Sequence, residues 1–183
     1  MLQAVADVAR NSHTTQRKTA SQRSVVLVTG MSGTGKSSAL AVLARHGHDT
    51  LDTDEPGWII QSQTSNGPEP LWDLDRVGAL LDRHQAGWLF IAGCVANQRE
   101  LYHRFDAVVL LSAPIDVPLE RVTDRANPFG SASKDRAKIA SDLTVYEPLL
   151  RAGADHEIVT NVPITEVVSA LEQIASTGHR TNR

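Results

Sequence analysis

The sequence predicts a three-layer α/β domain built on a parallel sheet. Short β-rich runs alternate with longer segments of helical spacing, the order that βαβ units require. The first run, Val25–Thr29, is apolar throughout, as expected of a strand covered on both faces. It leads directly into a glycine-rich turn, and a helical pattern follows that turn.

The later elements follow in order. Lys36–His46 has helical spacing through Leu40, Leu43 and Ala44, and Asp49–Thr53 reads as the second strand. Gly57–Leu71 reads as irregular, with Gly67, Pro68 and Pro70 as breakers. Asp73–Gln85 is a predicted helix through Leu74, Val77, Leu80 and Leu81, and Trp88–Ala92 a third, buried strand. Asn97–Arg104 reads as a short helix and Ala107–Leu111 as a fourth strand. Val117–Arg125 is predicted helical, with a Gly/Pro/Ser loop at Ala126–Ser133. Asp135–Tyr146 is a helix able to continue past Pro148, which need only kink it. Glu157–Thr160 is the last strand and Ile164–Ala175 the last helix.

Composition narrows the class. A chain of 183 residues suits one domain, and 41% hydrophobic residues are too many for a disordered chain. Eighteen basic against 21 acidic residues exclude a global nucleic-acid-binding charge. Cys94 is the sole cysteine, which excludes an intramolecular disulfide and a cysteine-based zinc cage. No apolar run approaches the ~20 residues of a membrane span. The expectation is a soluble cytoplasmic protein with no specific nucleic-acid partner and no membrane partner; nothing fixes an oligomeric state. Residues 1–23 read as a disordered extension with a short helix at Leu2–Ala9. Their Arg, Ser and Thr content also resembles an organellar transit peptide. The domain is expected over 24–178, with 179–183 as a tail.

The decisive segment is Gly30-Met31-Ser32-Gly33-Thr34-Gly35-Lys36-Ser37-Ser38, which fits G-x-x-x-x-G-K-[ST] between a strand and a helix. Its glycines let the backbone turn tightly and point N–H groups inward, and the following helix adds its positive end. In such a loop Lys36 reaches the β- and γ-phosphates and Ser37 ligates Mg²⁺. No guanine-reading N/T-K-x-D segment is present. The third and fourth strands end in Gly93-Cys94 and Ser112-Ala113 rather than in the acidic pair of a motor ATPase.

The acidic residues lie at the end of the second strand, in Asp52-Thr53-Asp54. In a parallel sheet that end opens beside the phosphate loop. With a side-chain period of two, Asp52 and Asp54 would share a face. Asp52 is assigned to the metal and its water, and Asp54 to orienting an acceptor hydroxyl and taking its proton. A solvated turn with a helix-cap-like Asp is the alternative.

These motifs resemble the small P-loop kinases, the adenylate, shikimate and gluconate kinase group, over about residues 24–175. The D-x-D resembles shikimate kinases, and Phe90–Phe105 resembles the region after the third strand of gluconate kinases. Arg121-x-x-x-Arg125 resembles the lid entrance of adenylate kinases, where the first arginine packs on adenine and the second contacts phosphate. Arg136 is placed like a further lid arginine, which puts a short lid at about 125–136. Thr160-Asn161-Val162-Pro163 resembles the adenine-contacting loop, so Asn161 and Pro163 join the nucleotide site. The resemblance implies a P-loop NTPase fold, a five-stranded sheet ordered 2-3-1-4-5, and phosphoryl transfer from ATP.

Three departures bear on the acceptor. Shikimate kinases carry a triple glycine where this chain has Ala92-Gly93-Cys94, and their arginine before the proline is replaced near Tyr146, which disfavours shikimate. Glu55–Trp72 also contains no Arg or Lys, whereas a nucleoside monophosphate normally needs an arginine on its phosphate. Candidate acceptor residues are Asp54, Trp58, Trp72, Arg76, Gly93 and Arg99. For the tryptophans the alternative is core packing, and for Arg99 and the lid arginines it is ordinary surface charge. Cys94 reads as a packed thiol rather than a nucleophile. The expected protein is an ATP- and Mg²⁺-dependent kinase of a small hydroxyl-bearing molecule. The alternatives are a nucleoside monophosphate kinase and an ATP-binding regulatory or assembly protein with weak ATPase activity.

Overall fold

The computed structural model describes residues 22–64, 67–114 and 144–177. The helix at Leu2–Ala9, the Val117–Arg125 helix, the lid and the tail from 179 lie outside the described residues. Five parallel strands form the main sheet: β1 (Ser24–Thr29), β2 (Asp49–Asp52), β5 (Trp88–Ala92), β6 (Ala107–Ser112) and β7 (His156–Val159). Their order is β2-β5-β1-β6-β7, which is 2-3-1-4-5 when these five are counted alone. The three-layer P-loop architecture is therefore observed.

β1 is central because both of its faces are apolar. Val26 and Val28 face one way, onto α1 (Lys36–Arg45) and α4 (Ile164–Thr177), where Leu40, Leu43, Val168 and Leu171 are buried. Val25 and Leu27 face the other way, onto α2 (Leu74–Arg83) and a 3-10 helix at Ala96–Arg104, packing with Val77, Leu81, Leu101 and Phe105. Each fully buried Val or Leu in these layers contributes roughly 1.5–3 kcal/mol of transfer free energy. Asp73, expected as the first helical residue of α2, is its cap, and its side chain accepts from the Arg76 N–H at 3.0 Å. Among the described residues a further helix, α3, covers 144–153 and runs through Pro148 without a break.

The ends of the layers are tied by polar contacts. Arg23 donates to the His84 carbonyl at 2.8 Å, which ties the residue before β1 to the end of α2. Glu172 of α4 pairs with His46 at 2.7 Å and His48 at 3.1 Å, while the His48 ring stacks on Trp88.

The segment Gly57–Leu71 corrects the sequence reading. It is not irregular: β3 (Ile59–Thr64) and β4 (Gly67–Trp72) pair antiparallel as a separate hairpin. Pro68 and Pro70 are tolerated because β4 has an open edge and both prolines are exposed, opposite Gln63 and Gln61. Prolines act as breakers in a central strand, where every N–H is needed; here alternate N–H groups are not.

Candidate active site

The site lies where the C-terminal ends of β1, β2 and β5 meet the start of α1. Gly33 and Gly35 have φ of 83° and 98°, a backbone region that side-chain-bearing residues rarely adopt. Gly30 is wedged so closely against the Leu111 carbonyl and Thr34 that a Cβ there would stand 2.8 Å from Thr34 Oγ1. Thr34 closes the loop by donating to the Met31 carbonyl at 2.8 Å. Lys36 Nζ donates to the carbonyls of Gly30 at 2.6 Å and Met31 at 3.2 Å, which holds its charge over the loop. Ser32, Ser37 and Ser38 are exposed around this rim. The result is a backbone cradle at a helix N-terminus with a cation above it, the arrangement that binds phosphate.

Ser37 Oγ donates to Asp52 Oδ2 at 2.7 Å, which joins the first turn of α1 to the last residue of β2. A hydroxyl beside a carboxylate is a hard-oxygen donor pair, the kind that Mg²⁺ takes. The strand ends at Asp52, so the period-two pleat does not carry on to Asp54. Asp54 stands instead in a turn that Asp52 organises, because Asp52 Oδ1 accepts the Asp54 N–H at 3.1 Å. Asp54 is exposed.

Between the two aspartates, Thr53 is fully buried. It donates to the Ala92 carbonyl at 2.9 Å and accepts from Trp72 Nε1 at 2.9 Å. Trp72 is thus a core residue whose ring backs the turn carrying Asp52 and Asp54. Gly93 lies against the same pair; a Cβ there would stand 2.7 Å from the Trp72 ring. Asn97 fixes the other side of Trp72, accepting from its N–H and donating to its carbonyl, each at 3.0 Å.

Trp58 behaves differently. It is half-buried, and the Arg76 guanidinium lies 4.7 Å from its ring centroid while donating to the Gly57 carbonyl at 2.6 Å. The hairpin between them puts Trp58 and Arg76 together as one partly exposed unit. Arg99 is exposed on the 3-10 helix, beside Gly153 of α3. Asn161 and Pro163 are exposed after β7. Arg121, Arg125 and Arg136 lie outside the described residues. Cys94 is half-buried; burial pushes its thiol pKa up, partly offset by the charge of Lys36, which disfavours the thiolate.

Sequence reasoning missed Gln98, Asn97 and Thr53. All three are polar residues to which the motifs around them assign no role. Their roles depend on the 3-10 turn that aims Gln98 and Asn97 inward and on the strand end that turns Thr53 into the core.

Strand, glycine loop, helix and the Ser37–Asp52 contact together define a P-loop nucleotide-binding fold. The chain belongs to the AAA domain family, whose profile matches residues 26–140. Among solved structures it is similar to shikimate kinase from Acinetobacter baumannii in complex with shikimate. Identity is 22%, over 83% of this chain and 92% of that one, with a TM-score of 0.60. It is also similar to shikimate kinase from Bacteroides thetaiotaomicron (16% identity, 82% and 97% covered, TM-score 0.57). A third similar structure is shikimate kinase from Aquifex aeolicus (16%, 81% and 94%, TM-score 0.54). No curated protein matches the chain. The fold is that of the small P-loop kinases.

Proposed function

We propose that this protein is an ATP- and Mg²⁺-dependent phosphotransferase that moves the γ-phosphate of ATP to a hydroxyl of a small molecule. The observation that carries this reading is the Ser37–Asp52 contact beside the Asp54 turn. It brings a metal-type oxygen pair and a second carboxylate to the mouth of one phosphate loop.

In this reading the loop N–H groups and Lys36 bind the phosphate oxygens. Ser37 and Asp52 hold Mg²⁺, which when bound offsets the negative charge of the phosphates. Asp54 accepts the acceptor's hydroxyl proton as the new oxygen–phosphorus bond forms and the bond to the ADP oxygen breaks. Arg125 and Arg136 would complete the charge clamp, and Arg121, Asn161 and Pro163 would face adenine. On the acceptor side, the Trp58–Arg76 unit offers a flat apolar face beside a cation, with Arg99 as a further cation. Gly93 and Trp72 act behind that surface, by shaping the turn that carries Asp54.

The test is ATP consumption by the full chain with Mg²⁺ against a panel of hydroxyl-bearing metabolites and nucleoside monophosphates. Consumption that depends on one added hydroxyl acceptor is the expected result. Dependence on a nucleoside monophosphate would instead make the protein a nucleotide kinase. Slow hydrolysis indifferent to every acceptor would make it an ATP-binding regulatory protein.

A further inference from the structure

Gln98 is assigned no role by the sequence, yet it is among the most deeply buried polar residues described, at 1% exposure. Its amide nitrogen donates to Thr29 Oγ1 at 3.1 Å and to the Tyr102 hydroxyl at 3.0 Å, and its amide oxygen lies 3.3 Å from the same Thr29 hydroxyl. Thr29 is the last residue of β1 and immediately precedes Gly30, whose carbonyl receives Lys36 Nζ. Tyr102 packs so closely on Gly153 of α3 that a Cβ there would stand 2.8 Å from the ring.

A buried amide must be hydrogen-bonded or it costs stability, and an apolar side chain would fill the same space without that demand. A satisfied polar network instead fixes one arrangement of the groups it joins. Here it fixes the junction from which the phosphate loop departs. The loop's own contacts, Thr34 to Met31 and Lys36 to Gly30, hold its shape but do not fix how the whole loop sits on β1.

We infer that Gln98 is a positioning residue for the phosphate loop: through Thr29 it sets where the loop leaves β1, and through Tyr102 it braces that junction against the end of α3. This inference rests on the reading of the loop as an ATP site. It adds that ATP affinity depends on a side chain that touches no phosphate.

The test is Mg·ATP binding to the full chain by calorimetry, at a temperature where each variant is folded, together with thermal melting. Gln98→Leu and Thr29→Val each remove the link and are expected to weaken ATP binding about fivefold, the size of one lost hydrogen bond. The double variant should lose no more than the larger single loss, because both break the same contact. Thr29→Ser keeps the hydroxyl and should bind normally. Tyr102→Phe keeps the ring packing and should weaken ATP binding, which keeps the inference testable if Gln98→Leu does not fold. Variants that melt earlier but bind ATP normally would overturn the inference, since Gln98 would then be structural only. Additive losses would also overturn it. Absence of ATP binding by the unsubstituted chain would overturn the nucleotide-site reading itself, and this inference with it.

Discussion

Ser37 Oγ and Asp52 Oδ2 stand 2.7 Å apart, although 15 residues and a whole helix separate them in the chain. The contact exists because β2 runs parallel to β1 one strand beyond β5, so its C-terminal end opens beside the helix that follows β1. Asp52 therefore serves two neighbours, with one oxygen toward Ser37 and the other toward the Asp54 N–H.

The two aspartates are expected to separate in metal titrations. Asp52→Asn should weaken apparent Mg²⁺ affinity and recover partly with added metal. Asp54→Asn should leave Mg·ATP binding near normal and lower the transfer rate with the correct acceptor. Equal, metal-rescuable defects would mean that both carboxylates serve the cation.

Lys36→Ala should leave melting nearly unchanged, because the ammonium lies over loop carbonyls and not in the core. In the proposed reading its loss removes a phosphate clamp, which typically costs ~10²-fold or more in rate. Near-normal turnover in the purified variant would count against phosphoryl transfer.

Gly93→Ala should destabilise the fold by about 1–3 kcal/mol, because the new methyl meets Thr53 and the Trp72 ring, and both are held by hydrogen bonds. Thermal melting measures this directly. A melting temperature equal to that of the unsubstituted chain would show that the turn yields without cost.

Arg76→Ala should raise the acceptor's KM about tenfold or more and leave ATP affinity alone, since it removes the cation from the Trp58 face and leaves the phosphate loop intact. Equal effects on both substrates would place Arg76 in the support of the fold.

The pH dependence has a definite sign at Glu157. Hydrogen bonds from Arg151 and Ser112 lower its pKa from the ordinary 4.5 to about 2. Because the folded value is the lower one, its stabilising contribution is complete above about 4.5 and is lost as pH falls toward 2. Glu157→Gln should therefore melt earlier than the unsubstituted chain at pH 7, and the gap should narrow as the pH is taken down through 4. Glu172 shifts in the same direction through His46 and His48, so it adds to acid sensitivity below its ordinary value. A gap that stays constant from pH 7 to 3 would argue against the Glu157 pairing.

The alternation of strands and helices, the apolar run of β1 and the Gly30–Ser38 motif were all legible in the chain itself. Each is a local pattern: burial on both faces demands continuous apolar residues, and a phosphate cradle demands glycines at fixed offsets. Asp52 was legible as well, because the end of a parallel strand beside the loop can be counted out. The hairpin of β3 and β4 was not, because whether Pro68 breaks a strand depends on whether it faces a partner or an open edge. Nor was the place of Asp54, since the strand ends one residue before Thr53 turns into the core. Only tertiary packing could set Trp72 in the core and Trp58 under Arg76, for the two residues share a side-chain type and differ in what the hairpin brings against them. The same holds for Gln98, whose partners Thr29 and Tyr102 meet it only when a 3-10 turn packs beneath the end of β1. The sequence by itself determined the class of fold and its phosphate loop, and the tertiary structure decided which polar groups are held in place around that loop. The first rests on neighbours along the chain, the second on groups such as Thr29 and Gln98, 69 residues apart, brought within hydrogen-bond reach.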